Sequence, residues 1–251
     1  MINKLPGLLF ASDFEVVRET LGICQSLLNT EEEVARYTAG VISVNRILEL
    51  ANSENFSCIA LKVMGYLCSV EKKYVEMVIS KDGLVILSKG LMSDNERLVY
   101  SSCFALSYIP MWGDKYVEML IEMRILIKVM EIARTTKSSL VRHEAGNIIL
   151  NCCKCKDINL LSKLIELGSL HSLNELLTVT NKGLAISILK LLKILLTADT
   201  QERKLFKVME DIGYIKTLSK LQLSTDINLY KNAVAIQELF EYSEIMEDEV
   251  M

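Results

Sequence analysis

Proline is scarce in this chain: Pro6 and Pro110 are the two in 251 residues. A sequence so poor in the residue that breaks helices can run one helix into the next. Strand-like alternation of apolar and polar residues is equally hard to find, whereas apolar positions at i, i+3, i+4 and i+7 recur almost everywhere. An unbroken apolar run of the ~20 residues that a membrane span requires is also lacking. The most apolar stretch, GLAISILKLLKILLTA, carries Lys190 and Lys193 at helical spacing, so a membrane is not an expected partner. The N-terminal MINKLPGLLFASDF has a short apolar core broken by Pro6, which is not the pattern of a signal peptide. The chain therefore reads as soluble, with no targeting segment. Basic charge is not in surplus, since 28 Lys and Arg face 32 Asp and Glu. The net charge of −4 argues against nucleic acid, whose phosphates need a basic surface.

Chemistry-bearing residues are few as well. HEAGN, starting at His143, begins like the zinc motif H-E-x-x-H but has Asn147 where the second histidine belongs. The other histidine, His171, lies in a different helical pattern. Cys152, Cys153 and Cys155 lack the C-x-x-C pairs of a zinc site. The seven cysteines fall mostly inside apolar helical patterns, where reduced thiols act as small core hydrophobes. No serine, cysteine or lysine has a recognisable base partner, and no glycine-rich phosphate loop occurs. The expectation is a protein without catalytic residues, cofactor or metal, hence not an enzyme.

What the sequence does contain is a repeat. VVRETLGICQSLL laid over VRHEAGNIILNCC sets Glu19 on Glu144 and Ser26 on Asn151. SCIALKVMGYLCS, LVYSSCFALSYIP and GLAISILKLLKIL take the same register, with Tyr66, Tyr108 and Lys193 in the Asn151 slot. Successive slots lie roughly forty to forty-three residues apart, the period of armadillo and HEAT units. Gly40, Gly83, Gly168 and Gly213 mark the same period, each ahead of an apolar helix. A glycine there lets the chain turn sharply between a short first helix and the second. Arg124 stands where one more glycine belongs, and must turn under mild strain or with a rearranged corner. The predicted fold is all-α: a right-handed armadillo-type α-solenoid of about five to six three-helix repeats. Residues 1–28 read as a partial N-terminal repeat, 29–196 as central repeats, 197–240 as a capping repeat and 241–251 as an acidic tail. The apolar LPGLLFASDF has no polar capping face, so self-association, or cover by another chain, is expected at that end.

In stacked units of this kind the third helices line the concave face. One row there reads Ser26, Tyr66, Tyr108, Asn151, Lys193; four residues earlier it reads Gly22, Lys62, Phe104, Asn147, Leu189; seven earlier, Glu19, Ile59, Ser101, Glu144, Ile186. Offsets of three, four and seven put these rows on one helix face. Amides that hold an extended backbone, with aromatics and acids for its side chains, make a peptide groove. A merely solvated concave surface is the plainer alternative.

These third helices resemble importin-α, the armadillo adaptor that recognises nuclear localisation signals. Its third helices read roughly E-A-C-W-x-(I/L)-S-N-(I/L). VRHEAGNIILNCC matches at Glu144, Ala145 and Asn151, with Asn147 for the tryptophan. VYSSCFALSYIPM matches at Cys103, Leu106 and Ser107, with Phe104 for tryptophan and Tyr108 for asparagine. ALKVMGYLCSV resembles A-L-R-x-V-G-N-I-V-T-G, with Lys62 for the arginine and Tyr66 for the asparagine. LIELGSLHSLNELLTV, and the closing GYIKTLSKLQLSTDINLYKNAVAIQELFEY followed by acid, resemble further segments of the family's C-terminal half. The resemblance runs from about Glu15 to Glu249. It implies a nuclear import adaptor in cytoplasm and nucleus that takes basic peptides on Glu144, Asn147, Asn151, Phe104, Tyr108, Ser101, Tyr66 and Lys62, weakly because the stacking tryptophans are replaced. It also implies a recycling exportin as partner of the C-terminal repeats and acidic tail. Importin-β is not an expected partner, since the family's basic N-terminal segment is absent. An armadillo scaffold for a different protein, or one half of a split receptor, is the alternative.

Overall fold

A computed structural model describes residues 2–179, 181–199 and 204–248, with side chains of residues 2–178, 181–199 and 204–241. Among the described residues there is no strand, and no helix is long and apolar enough to cross a membrane. A short helix α1 (Leu5–Leu9) and a longer α2 (Phe14–Leu28) come first. Triplets follow: α3 (Glu32–Val41), α4 (Val44–Ala51) and α5 (Ser57–Val70); then α6 (Lys72–Ile79), α7 (Gly83–Leu91) and α8 (Glu96–Ser107). The next are α9 (Asp114–Glu122), α10 (Ile125–Thr135) and α11 (Ser139–Cys152), and α12 (Ile158–Glu166), α13 (Ser169–Val179) and α14 (Lys182–Ala198). The last triplet is α15 (Lys204–Ile212), α16 (Tyr214–Leu221) and α17 (Ile227–Asp248). The chain divides into two compact units, Met1–Val129 and Met130–Met251.

Five of the six third helices begin at side-chain caps; α5, which starts after Phe56, does not. Asp13, Asn95, Ser138 and Asn181 each accept a backbone N–H from the first turn of α2, α8, α11 and α14. Asp226 accepts from Asn228 N and Leu229 N at the start of α17. Such caps satisfy amides that the helix itself leaves unpaired. The corners before second helices follow the glycine marker only in part. Gly168 and Gly213 have φ of +92° and +88°, and Arg124 does take the left-handed turn, at φ +56°. In the α6–α7 corner the positive φ falls on Asp82, at +59°. Gly83 is needed there for space, since a Cβ would lie 2.3 Å from Val78 Cγ1. Gly40 corrects the expectation. It lies inside α3 with open space around it, and the corner belongs to Ile42 in extended backbone.

In the N-terminal unit, α5 packs against α2, α4 and α8. Ala60, Val63, Met64 and Leu67 of α5 are buried, and with Leu21, Ile47, Leu87 and Leu106 they form its core. Trp112 Nε1 donates to Cys68 O at 2.7 Å and Tyr116 Oη to Glu76 Oε1 at 3.1 Å, bonds that join neighbouring repeats. The apolar N-terminal end is partly covered by its own residues. Leu5 and Leu9 are buried, and α1 lies on α2. Arg46 Nε donates to Leu9 O at 2.9 Å and holds its guanidinium 4.9 Å from the Phe10 ring centre. Leu8, Phe10 and Phe14 remain exposed.

In the C-terminal unit, α14 packs against α11, α13 and α17. Its core includes Ile148, Leu173, Ile188, Leu189, Leu192, Phe206 and Ile236. Tyr214 Oη donates to Leu170 O at 2.7 Å, again one repeat away. Cys152 and Cys153 are fully buried, as core thiols should be, and burial pushes the Cys153 thiol up to about 12. The acidic tail expected at 241–251 is not a separate segment at its start, because α17 continues to Asp248. Its side chains beyond Glu241 lie outside the described residues.

Candidate peptide-binding faces

The N-terminal unit presents one face on α2, α5 and α8. Phe104 on α8 is its centre. The Tyr66 ring meets Phe104 edge-on at 5.0 Å, and Tyr108, just past the end of α8, does so at 5.2 Å. Tyr100, one turn before Phe104, stacks at 6.4 Å. Lys62 Nζ sits 5.2 Å from the centre of the Tyr100 ring, a cation–π distance. These four rings and one lysine are half-buried, so they form a wall rather than a core. Gly65 makes this wall possible: a Cβ there would lie 2.9 Å from Ala105 Cα and 3.0 Å from the Phe104 ring. Below the wall, a cleft of about 320 Å³ opens at the C-terminal ends of α2 and α5, lined by Asn29, Thr30, Glu32, Tyr66, Ser69 and Tyr108 among others.

Three predicted positions of this face do not offer a contact in the expected way. Ser101 is buried, and its hydroxyl donates to Arg97 O at 2.9 Å, the usual back-bond of a helical serine. The Ser26 hydroxyl is exposed but donates in the same manner to Gly22 O at 3.0 Å. Glu19 is exposed and pairs with Arg18 at 3.3 Å. The reading by rows missed Tyr100 and Arg97. Both were within reach of helical spacing, since they lie four and seven residues before Phe104.

The C-terminal unit presents the α11 residues. Glu144 is half-buried, and Asn147 Nδ2 donates to its Oε2 at 3.3 Å. Burial raises the Glu144 carboxyl above the ordinary carboxylate range, against smaller opposing effects of the Asn147 amide and of His143. Asn151, one turn on, accepts from Lys154 Nζ at 2.8 Å. Lys154 is itself pulled below the ordinary lysine range by desolvation. On α14, Lys193 is exposed and Ile186 half-buried, but Leu189 is fully buried. Its row thus breaks at Leu189, because a leucine gains more in the core than on a wet face. His143 Nδ1 lies 2.8 Å from Asn181 Nδ2, on the side chain that also caps α14. Among the described residues no group of three or more His, Cys, Asp and Glu is arranged to hold a metal.

No protein-family model matches the chain. Importin subunit alpha-1 of Caenorhabditis elegans is 28% identical over 167 residues, which cover 63% of this chain and 31% of that protein. The chain thus matches about a third of the length of this curated relative. Among solved structures, a designed armadillo repeat protein in complex with the peptide (KR)4 matches with a TM-score of 0.78 and 20% identity, covering 95% of this chain and 99% of that one. A computationally designed armadillo repeat protein for modular peptide recognition matches with a TM-score of 0.79 and 19% identity, covering 96% of this chain and 100% of that one. The chain therefore has the armadillo-repeat fold and is, in sequence, divergently importin-α-like.

Proposed function

We propose that the chain is a peptide-binding armadillo scaffold of importin-α type, which takes a basic peptide on α11. The observation that carries this reading is Glu144. A half-buried carboxylate whose neighbour is the Asn147 amide, with no ion pair among the described residues, is a receptor for a ligand ammonium or guanidinium. Asn147 supplies an amide for an extended backbone one turn from Glu144, and the ligand lysine is placed at this end, since Lys154 already sits on Asn151 at the next turn. The wall around Phe104 is left out of this site because Lys62 already occupies it. A ligand lysine there would meet a like charge.

The role that follows is import of proteins bearing basic nuclear localisation signals, between cytoplasm and nucleus, with the importin-α-like sequence as its support. A recycling exportin remains a proposed partner through the C-terminal repeats. Titration of the full chain with fluorescent (KR)4 tests the site. Saturable binding that Glu144→Arg removes is expected, whereas no saturation below about millimolar, a free-energy threshold of about 4 kcal/mol, would remove the receptor role. A second reading, a scaffold for a different protein, is favoured by one observation: the cationic charge on the α5–α8 face.

A further inference from the structure

The end of α11 gathers three cysteines, and one pair among them is placed to close a disulfide. Cys152 and Cys155 lie three residues apart, a C-x-x-C spacing that occurs once in the chain, where a zinc site of that kind uses it twice. Cys152 is the last residue of α11. Beyond it the backbone keeps turning: Lys154 N donates to Asn151 O at 3.3 Å and Cys155 N to Cys152 O at 3.1 Å. Bonds between residues three apart make a 3-10 turn, on which side chains at i and i+3 eclipse. A rise of about 2 Å per residue sets the two Cα atoms about 6 Å apart, inside the roughly 4.4–6.8 Å that a disulfide spans. Both side chains are thiols here.

Burial gives the two sulfurs different parts in an exchange. Cys152 is fully buried, and Cys155 is half-buried. Desolvation raises the Cys152 thiol well above the ordinary range, and the nearby Cys153 and Cys155 add to the rise. A thiol held that way does not start an exchange, because the thiolate is the nucleophile. Cys155 is therefore the sulfur that an oxidant reaches, and Cys152 is the one that resolves. Cys153 is fully buried, and at offsets of one and two it does not face either neighbour on a helical turn. Between the pair stands Lys154, with its amine on Asn151 Oδ1 at 2.8 Å, so the pair adjoins one end of the α11 site.

We infer that Cys152 and Cys155 are a reversible oxidation site, closed by exchange with a small-molecule disulfide of the glutathione class. The Cys155 thiolate attacks one sulfur of the oxidant, whose S–S bond breaks. One glutathione leaves and takes up the proton that Cys155 gave to solvent. Cys152 then loses its proton and attacks the Cys155 sulfur, and the second glutathione leaves as a thiol. Two protein thiols are oxidised to one disulfide, and one glutathione disulfide is reduced to two thiols. Closing the bond draws Cys155 away from Asp157 O, which its Sγ meets at 3.7 Å next to the start of α12. The site needs no ligand on α11 and stands or falls apart from the peptide reading.

The test treats the folded full chain with millimolar oxidised glutathione, blocks remaining thiols with N-ethylmaleimide and digests with trypsin. Trypsin cuts after Lys154, between the two cysteines, so His143–Lys154 and Cys155–Lys156 separate unless a disulfide joins them. Joined peptides, lighter by two hydrogens than the sum of the separate thiol forms, are expected, and dithiothreitol should part them. Cys155→Ser and Cys152→Ala should each abolish the link, with circular dichroism checking that the variants fold. Cys153→Ala and Cys58→Ser should keep it. A stable glutathione adduct on Cys155 without the link overturns the proposal. So does a link that forms only in urea, or one that survives Cys155→Ser or is lost in folded Cys153→Ala.

Discussion

Alanine at Gly65 and alanine at Gly22 are predicted to have opposite effects on stability. Both glycines lie inside third helices, Gly22 in α2 and Gly65 in α5. In a helix interior, Gly→Ala is worth ~0.8–1 kcal/mol from backbone entropy and propensity alone. At Gly22 a Cβ meets nothing within 4 Å, so the full gain is expected. At Gly65 the same atom would lie 2.9 Å from Ala105 Cα and 3.0 Å from two atoms of the Phe104 ring. Carbon contacts settle near ~3.5–4.0 Å, so α5 and α8 have to part by roughly half an ångström or more. Ala105 Cα is backbone and cannot turn aside. Overpacking of this kind costs about 1–3 kcal/mol, which exceeds the propensity gain and leaves Gly65→Ala about 1 kcal/mol less stable. Urea unfolding followed by tryptophan fluorescence reads the N-terminal unit alone, because Trp112 is the one tryptophan and its indole bonds to Cys68 O on α5. If Gly65→Ala stabilises as much as Gly22→Ala, the close approach of α5 and α8 is not what the glycine serves, and the reasoning fails.

Arg124→Gly should raise stability by about 0.5–1 kcal/mol, since a left-handed residue with a Cβ is strained by ~1–2 kcal/mol and glycine gives part of that back as unfolded-state entropy. Thermal unfolding checks it, and a lower midpoint for the variant would refute the strain. For Glu144, the sign follows from the raised native carboxyl. Folding stability falls as pH rises from the ordinary carboxylate range through the raised native value, because the native state holds the proton longer. Glu144→Gln should flatten that slope in urea unfolding across the same window, and an unchanged slope would place the titration elsewhere. A carboxyl NMR titration should also show the Glu144 midpoint moving down when (KR)4 is added, as a ligand cation stabilises the ionised form.

The candidate site was legible in the sequence where helical spacing alone decides which residues share a face. Glu144, Asn147 and Asn151 do lie half-buried on α11, and Phe104, Tyr66 and Tyr108 do meet as rings. Ser101 and Leu189 fit the same spacing yet are buried. A helix in a stack packs against neighbours on more than one side, so a row one residue wide at the edge of a face falls into a contact. Tyr100 and Arg97 were overlooked for the converse reason: they lie at the margin of the predicted rows.

Period, helical class and the sharp turn at Arg124 were determined by sequence alone, because they depend on local rules: apolar spacing, the cost of proline, and the conformational freedom of glycine. The tertiary structure decided the rest. It moved one corner from Gly83 to Asp82 and another from Gly40 to Ile42, buried Leu5 and Leu9 where α1 lies on α2, and set Lys62 on the Tyr100 ring. Most of these depend on atoms brought together from different helices. Their charges and rings acquire a meaning for binding only at the distances that packing imposes.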